Sequence, residues 1–239
     1  MINLGTSYAN FTIPEAGIFN SDSICYFAGV GEDFIFDCEF VQRFGCKGFL
    51  IDPTPQSKAH FEKVRIDPTT SPIPKSKDYA DYSKFADVLA SFTYCDFGLA
   101  AYSDVLKFHP PSNPESVSHS LTHIKCTEPQ DGFSAQCYTL RDTMQMLGHE
   151  HLDFLKMNIE GAELEILYEI VTEEIPVKTI SVDFDYLKRD RWWFDLPTSD
   201  EMIFFLESAG FELLFNVNLG TTLEDHMDAR RFTFINRTL

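Results

Sequence analysis

Strand-like and helix-like segments alternate along this chain. That pattern predicts an α/β protein with a mostly parallel sheet, helices on both faces and a closing antiparallel pair. Three observations carry the prediction. Apolar runs of strand length recur at Ile24–Ala28, Gly48–Asp52, Leu152–Ile159 and Thr179–Val182. The first of them ends in Gly29-Val30-Gly31 and leads into a helical period, the opening of a βαβ unit. Near the end, Phe211–Val217 and Arg230–Asn236 are strand-like and separated only by a short turn-rich segment.

Each element has a local reason. After Gly31 a helix is predicted with Glu32 and Asp33 in its first turn, Phe36, Phe40 and Phe44 on one face, and Gly45 as its stop. Gly48–Asp52 returns as a buried strand closed by Pro53. Residues 65–83, with Pro68, Pro72 and Pro74 among Ser, Lys and Asp, read as an exposed insertion. Ser91–Ala101 resumes as a strand, followed by an extended piece at Val105–His109. Residues 109–134 form a long polar loop, and loops of that length within a compact domain are usually functional. Cys137–Leu147 reads as a strand end and a short helix. After the break at Glu160-Gly161, Leu164, Leu167, Tyr168 and Val171 share a helical face. Thr198 and Glu201 form a capping box for a helix burying Met202, Phe205, Leu206 and Ala209, which Gly210 ends. The whole is expected to be a single domain over 1–239, with 1–22 as a lead-in.

Composition narrows the classes. The 239 residues are 44% hydrophobic and 23% charged, which belongs to a globular chain able to bury its own core. The 23 phenylalanines predict an aromatic-rich interior. A net charge of −18 is repelled by phosphate backbones and anionic lipid, so nucleic acid is not an expected partner. The six cysteines form no CxxC pair and no zinc spacing, and are expected to be reduced and buried. No signal peptide and no apolar run of membrane-spanning length is seen, so the expectation is a soluble cytoplasmic protein without a membrane anchor.

Strand, Gly-x-Gly, helix, strand, acid is the order of a mononucleotide-binding unit. Asp52 falls 23 residues after Gly29, near the roughly 20 expected of a carboxylate on a ribose hydroxyl pair. A dinucleotide fingerprint wants a third small residue where Phe34 stands, and Glu32 and Asp33 would repel a diphosphate at the helix start. A ligand with a ribose, no phosphate and a positive centre, such as S-adenosylmethionine, suits this acidic turn better. A second constellation gathers at the carboxyl ends of later strands, where open α/β sheets place their chemistry. Asn158 and Glu160 end one strand; Asp183 and Asp185 end the next and point to the same side. Such an edge suits hydroxyl recognition, a general base or a divalent cation.

The segment Leu155-Lys156-Met157-Asn158-Ile159-Glu160-Gly161-Ala162-Glu163 resembles the signature of FkbM-type methyltransferases. Gly29-Val30-Gly31-Glu32-Asp33-Phe34 and Phe49-Leu50-Ile51-Asp52-Pro53-Thr54-Pro55 are similar to that family's cofactor-binding opening, and Leu106-Lys107-Phe108 with Val117-Ser118-His119-Ser120 to a later stretch. The resemblance implies a class I, Rossmann-like fold and methyl transfer from S-adenosylmethionine to an oxygen, commonly a sugar hydroxyl. It implies Gly29, Gly31 and Asp52 on the cofactor side, with Phe97-Gly98-Leu99 beside the adenine; Asp33 of the acidic turn and Asn158 at the strand end are further cofactor-side candidates. Glu160, Asp183 and His119 are candidate catalytic groups; Ser118, Asp185 and Trp192 are expected to meet a small-molecule or glycan acceptor. Two departures matter: Asn158 stands where the family usually has Asp, and Asp185 where it often has His, so a magnesium site depending on the first is doubtful. The rival readings are a binding protein that keeps the fold without the chemistry, and an NAD-dependent oxidoreductase.

Overall fold

The computed structural model describes residues 1–15, 17–69, 81–110, 119–121, 132–188, 197–222 and 227–239. It opens with an antiparallel hairpin of β1 (Ile2–Gly5) and β2 (Asn10–Ile13). The first twenty-odd residues are therefore more than a lead-in, because Phe11 and Ile13 are buried in the core. Then follow β3 (Ile24–Ala28), α1 (Ile35–Phe44), β4 (Lys47–Ile51), α2 (Pro55–Ile66) and β5 (Phe92–Cys95). Next come β6 (Gly98–Leu99), β7 (Asp104–Phe108), β8 (Phe133–Tyr138), α3 (Leu140–Leu147) and β9 (Leu152–Met157). The chain ends with α4 (Glu163–Thr172), β10 (Val177–Lys188), α5 (Ser199–Ser208), β11 (Phe211–Thr222) and β12 (Met227–Asn236).

Among the described residues, seven strands make the main sheet in the order β11-β12-β10-β9-β3-β4-β5. Pairs from β10 through β5 are parallel, while β12 runs antiparallel to both β10 and β11. The predicted closing pair is thus present, with the last strand inserted between β11 and β10. Strand order reverses between β3 and β9, so the crevice beyond their carboxyl ends is the topological switch point. A small sheet, β6-β8-β7, lies beside that crevice.

The two faces have separate cores. On one, α1 and α2 pack an aromatic cluster in which Phe40 stacks on Phe154 at 4.5 Å and meets Phe27 edge-on at 5.5 Å. Each such fully buried phenylalanine contributes roughly 1.5–3 kcal/mol. On the other face, α3, α4 and α5 cover Leu155, Val182, Phe232 and their neighbours.

Several boundaries differ from expectation. Helix α1 begins at Ile35, so Glu32 and Asp33 precede it and Asp37 occupies its first turn. Ser91–Ala101 is two strands, because β6 leaves the main sheet to pair with β8. Within 65–83, α2 runs on to Ile66, and Tyr82 is completely buried, so the segment's end returns to the core. The buried face of α4 carries Glu163, Ile166, Leu167 and Ile170, while Tyr168 is exposed and leans on Phe205 at 4.7 Å. The capping box of Thr198 and Glu201 is present as expected. Cys25, Cys38, Cys46, Cys95 and Cys137 are unpaired and buried; Cys126 lies outside the described residues. No helix among the described residues is long and apolar enough to cross a membrane.

Candidate active site

The site grows from the turn after β3. Gly29 and Gly31 sit at φ +79° and +58°, where a side chain is strained. A Cβ on Gly29 would fall 1.8 Å from the Asn158 carbonyl oxygen, so only glycine lets β3 and β9 close at the switch point. Asp52, buried at the end of β4, holds this turn: its Oδ2 accepts the Val30 and Gly31 amides, each at 2.9 Å, and its Oδ1 accepts that of Thr54 at 2.8 Å. The carboxylate expected on a ribose therefore also shapes the loop that approaches it.

From beneath, Lys156 of β9 donates its ammonium to the Gly29 carbonyl at 2.8 Å and stands 3.4 Å from the Asp37 carboxylate. A lone lysine in a buried parallel strand needs such partners, and that was the overlooked signal in the sequence. Asp33 accepts the Thr6 hydroxyl at 2.6 Å, tying the turn to the hairpin, and accepts the Ile35 amide at 3.2 Å. Burial raises the carboxyls of Glu32 and Asp33 above their ordinary values. With Asp33 before α1 and Asp37 in its first turn, the helix start is hostile to a diphosphate. The third-glycine position, Phe34, is fully buried and stacks on Tyr82 at 4.5 Å.

Burial also pushes the Asp37 carboxyl from 3.8 up to about 6, against the pull of Lys156. The native state thus keeps a proton that the unfolded chain has lost, so this group makes stability fall as the pH rises from 3.8 to about 6. Asp37→Asn is expected to flatten that part of the melting temperature against pH. Equal slopes in both proteins would contradict this account.

The second half of the site follows β9. Asn158, Ile159 and Glu160 leave the strand, with Glu160 at φ +61° and Gly161 at +115°. A non-glycine residue persists there only where its surroundings hold it. Glu163, buried at the start of α4, does this: Oε1 accepts the Ile159 amide at 2.7 Å and Oε2 that of Gly161 at 2.8 Å. The last glutamate of the signature is therefore its structural clamp. Glu163→Gln sets an amide against one of these N–H groups and is expected to cost about 1–3 kcal/mol in urea unfolding. A loss under 0.5 kcal/mol would remove that role.

Ser120 donates its hydroxyl to the Glu160 carbonyl and exchanges backbone hydrogen bonds with His109, at 2.8 and 3.0 Å. This pairing brings the neighbouring His119 to the cleft, its ring against Phe133 at 5.1 Å. Asp183 is buried and ion-paired with Arg231, whose guanidinium also donates to the Asn10 carbonyl and lies 4.4 Å from the Phe11 ring centre. The Asp183 carboxylate is thus already engaged by a cation, Arg231, that the sequence did not point to. Gly98 and Leu99 line the cleft from β6; a Cβ on Gly98 would meet Cys137 Sγ at 2.9 Å and Phe108 at 3.2 Å.

One cleft of about 770 Å³ joins these groups, within the usual size of small-molecule sites. It brings together Gly29, Gly31, Asp33, Asp52, Gly98, Leu99, His119, Asn158, Glu160 and Asp183. Ser118 and Trp192 lie outside the described residues, as does the side chain of Asp185. Among the described residues, no group of three or more His, Cys, Asp or Glu is placed to hold a metal ion.

A mostly parallel sheet with its switch point at a glycine turn and an antiparallel strand inserted next to its edge is an α/β, Rossmann-like fold. The family described as Methyltransferase FkbM domain matches residues 96–213, so the resemblance seen in the sequence is borne out over just under half of the chain. That match supports S-adenosylmethionine-dependent methyl transfer. Among solved structures, M. jannaschii TYW2 in complex with AdoMet is similar at 10% identity and a TM-score of 0.41, over 92% of this chain and 71% of that one. Precorrin-6y C5,15-methyltransferase from Geobacter metallireducens GS-15 is similar at 13% identity and a TM-score of 0.41, over 91% of this chain and 82% of that one. No curated protein matches the chain.

Proposed function

We propose that this protein transfers a methyl group from S-adenosylmethionine to a hydroxyl oxygen, the hydroxyl of a sugar or glycan being the acceptor. The observation that carries this reading is the unbroken cleft from the acid-walled glycine turn to Glu160 and His119. When bound, S-adenosylmethionine supplies a methyl already activated by sulfonium, which the acceptor oxygen attacks in line as S-adenosylhomocysteine leaves.

This chain's residues have correspondingly simple tasks. Gly29 and Gly31 let the backbone approach the cofactor, and Asp52 offers its remaining lone pairs to the ribose hydroxyls. Glu32 and Asp33 line the cleft and complement a cationic ligand. Gly98 and Leu99 flank the adenine, and Asn158 offers an amide at the switch point. Most of the rate comes from holding oxygen, carbon and sulfur in line. Glu160 takes the hydroxyl proton, with His119 lining the same cleft and Asp183, steadied by Arg231, orienting the acceptor. Ser118, Asp185 and Trp192 belong to the acceptor side in this reading.

Transfer of labelled methyl from S-adenosylmethionine to a panel of simple glycosides tests the proposal. Turnover is expected, with Glu160→Gln lowering kcat by about 10²–10⁴-fold while cofactor affinity is unchanged. Full turnover in that variant would remove Glu160 as the base. Cofactor binding with no transfer to any hydroxyl compound would favour a non-catalytic scaffold.

A further inference from the structure

The sheet face beyond the cofactor end of the cleft is unevenly covered. Helices α4 and α5 pack on the opposite face of β10, β12 and β11, and α1 and α2 lie over β3 and β4. Among the described residues, the β1–β2 hairpin stands over β12, bonded to it by Arg231 at the Asn10 carbonyl and by Thr233 at the Thr12 carbonyl, 2.7 Å. The edge strand β11 continues past that cover. Its alternate residues Phe215, Val217 and Leu219 line the same cleft as Gly29 and Glu160, and Val217 and Leu219 are 36% and 44% exposed. From Phe215 to Leu219 the strip runs about 13 Å at roughly 3.3 Å per residue. Tyr8, half exposed at the hairpin's tip, lines the cleft with them.

The inner end of this groove is polar and internally neutralised, since Asp183 is paired with Arg231. A chain charge of −18 disfavours an anionic ligand. An occupant is therefore not anionic; it is polar where it meets Asp183 and Glu160, and apolar along β11. Because the strip is continuous with the cofactor cleft, the occupant it fits is the methyl acceptor itself.

We propose that the acceptor is an uncharged glycoside with an apolar aglycone, the sugar hydroxyl facing Glu160 and the aglycone lying along Phe215, Val217 and Leu219. This deepens the methyltransferase reading and rests on it. The test is calorimetric titration of the protein saturated with S-adenosylhomocysteine, using methyl β-D-glucoside and octyl β-D-glucoside below its micelle concentration. Two buried methylenes are worth about tenfold, so the octyl compound is expected to bind at least about tenfold more tightly. Val217→Asp and Leu219→Asp, both at half-exposed edge positions, are expected to abolish that preference without changing the melting temperature or the S-adenosylhomocysteine affinity. Equal affinity for the two glycosides, no binding of the octyl compound, or a preference that survives both substitutions would overturn the proposal. Failure of S-adenosylhomocysteine itself to bind would instead overturn the methyltransferase reading beneath it.

Discussion

Arg231→Met is expected to lower the free energy of unfolding by about 3–5 kcal/mol. Asp183 and Arg231 are both about 5% exposed and bonded to each other in the interior. Removing the arginine leaves a largely buried carboxylate without its cation, which costs far more than the pair contributes. It also leaves the Asn10 carbonyl without its guanidinium donor and loosens the hairpin that covers β12. The double variant Asp183→Leu, Arg231→Met removes both charges and is expected to recover most of the loss. Urea unfolding of the three proteins measures the effect. A single-variant loss under 1 kcal/mol would show that the pair does not hold the hairpin to the sheet.

Gly29→Ala is expected to abolish cofactor binding and to destabilise the fold by about 3 kcal/mol or more. The alanine must adopt a left-handed conformation, and its Cβ would sit 1.8 Å from the Asn158 carbonyl oxygen, which is backbone and cannot swing away. Relief comes only by opening β3 from β9 at the switch point, where the Asn158 amide donates to the Ala28 carbonyl at 3.1 Å. Gly148→Ala is the matched control. Gly148 has φ +75° but nothing within 4 Å of the added carbon, so it is expected to lose only the left-handed cost of about 1–2 kcal/mol and keep full affinity. Normal S-adenosylmethionine affinity in Gly29→Ala would contradict the placement of the site at this turn.

What could be read from the sequence was what neighbours in the chain determine. Gly29-Val30-Gly31, the phenylalanine period after it, and the Thr198–Glu201 capping box are local signals, and the elements they imply are present. The same locality brought Asn158 and Glu160 to the end of β9 beside the glycine turn. The misses are long-range. Lys156 meets Gly29 from 127 residues away, and Arg231 meets Asn10 from 221 away, so no window of sequence contains either contact. The hairpin was invisible because strands of four residues carry too little alternation to read. The face of α4 was displaced because Tyr168 fits the apolar period yet points outward to Phe205. Asp183 looked like a free carboxylate only because its partner lies two strands later in the chain and adjacent in the sheet.

Calorimetric titration with S-adenosylmethionine, S-adenosylhomocysteine and NAD tests the central claim most directly. The acid-flanked helix start and the buried Phe34 predict micromolar binding of both adenosyl compounds and none of NAD. Binding of NAD alone, or of none of the three, would contradict the account.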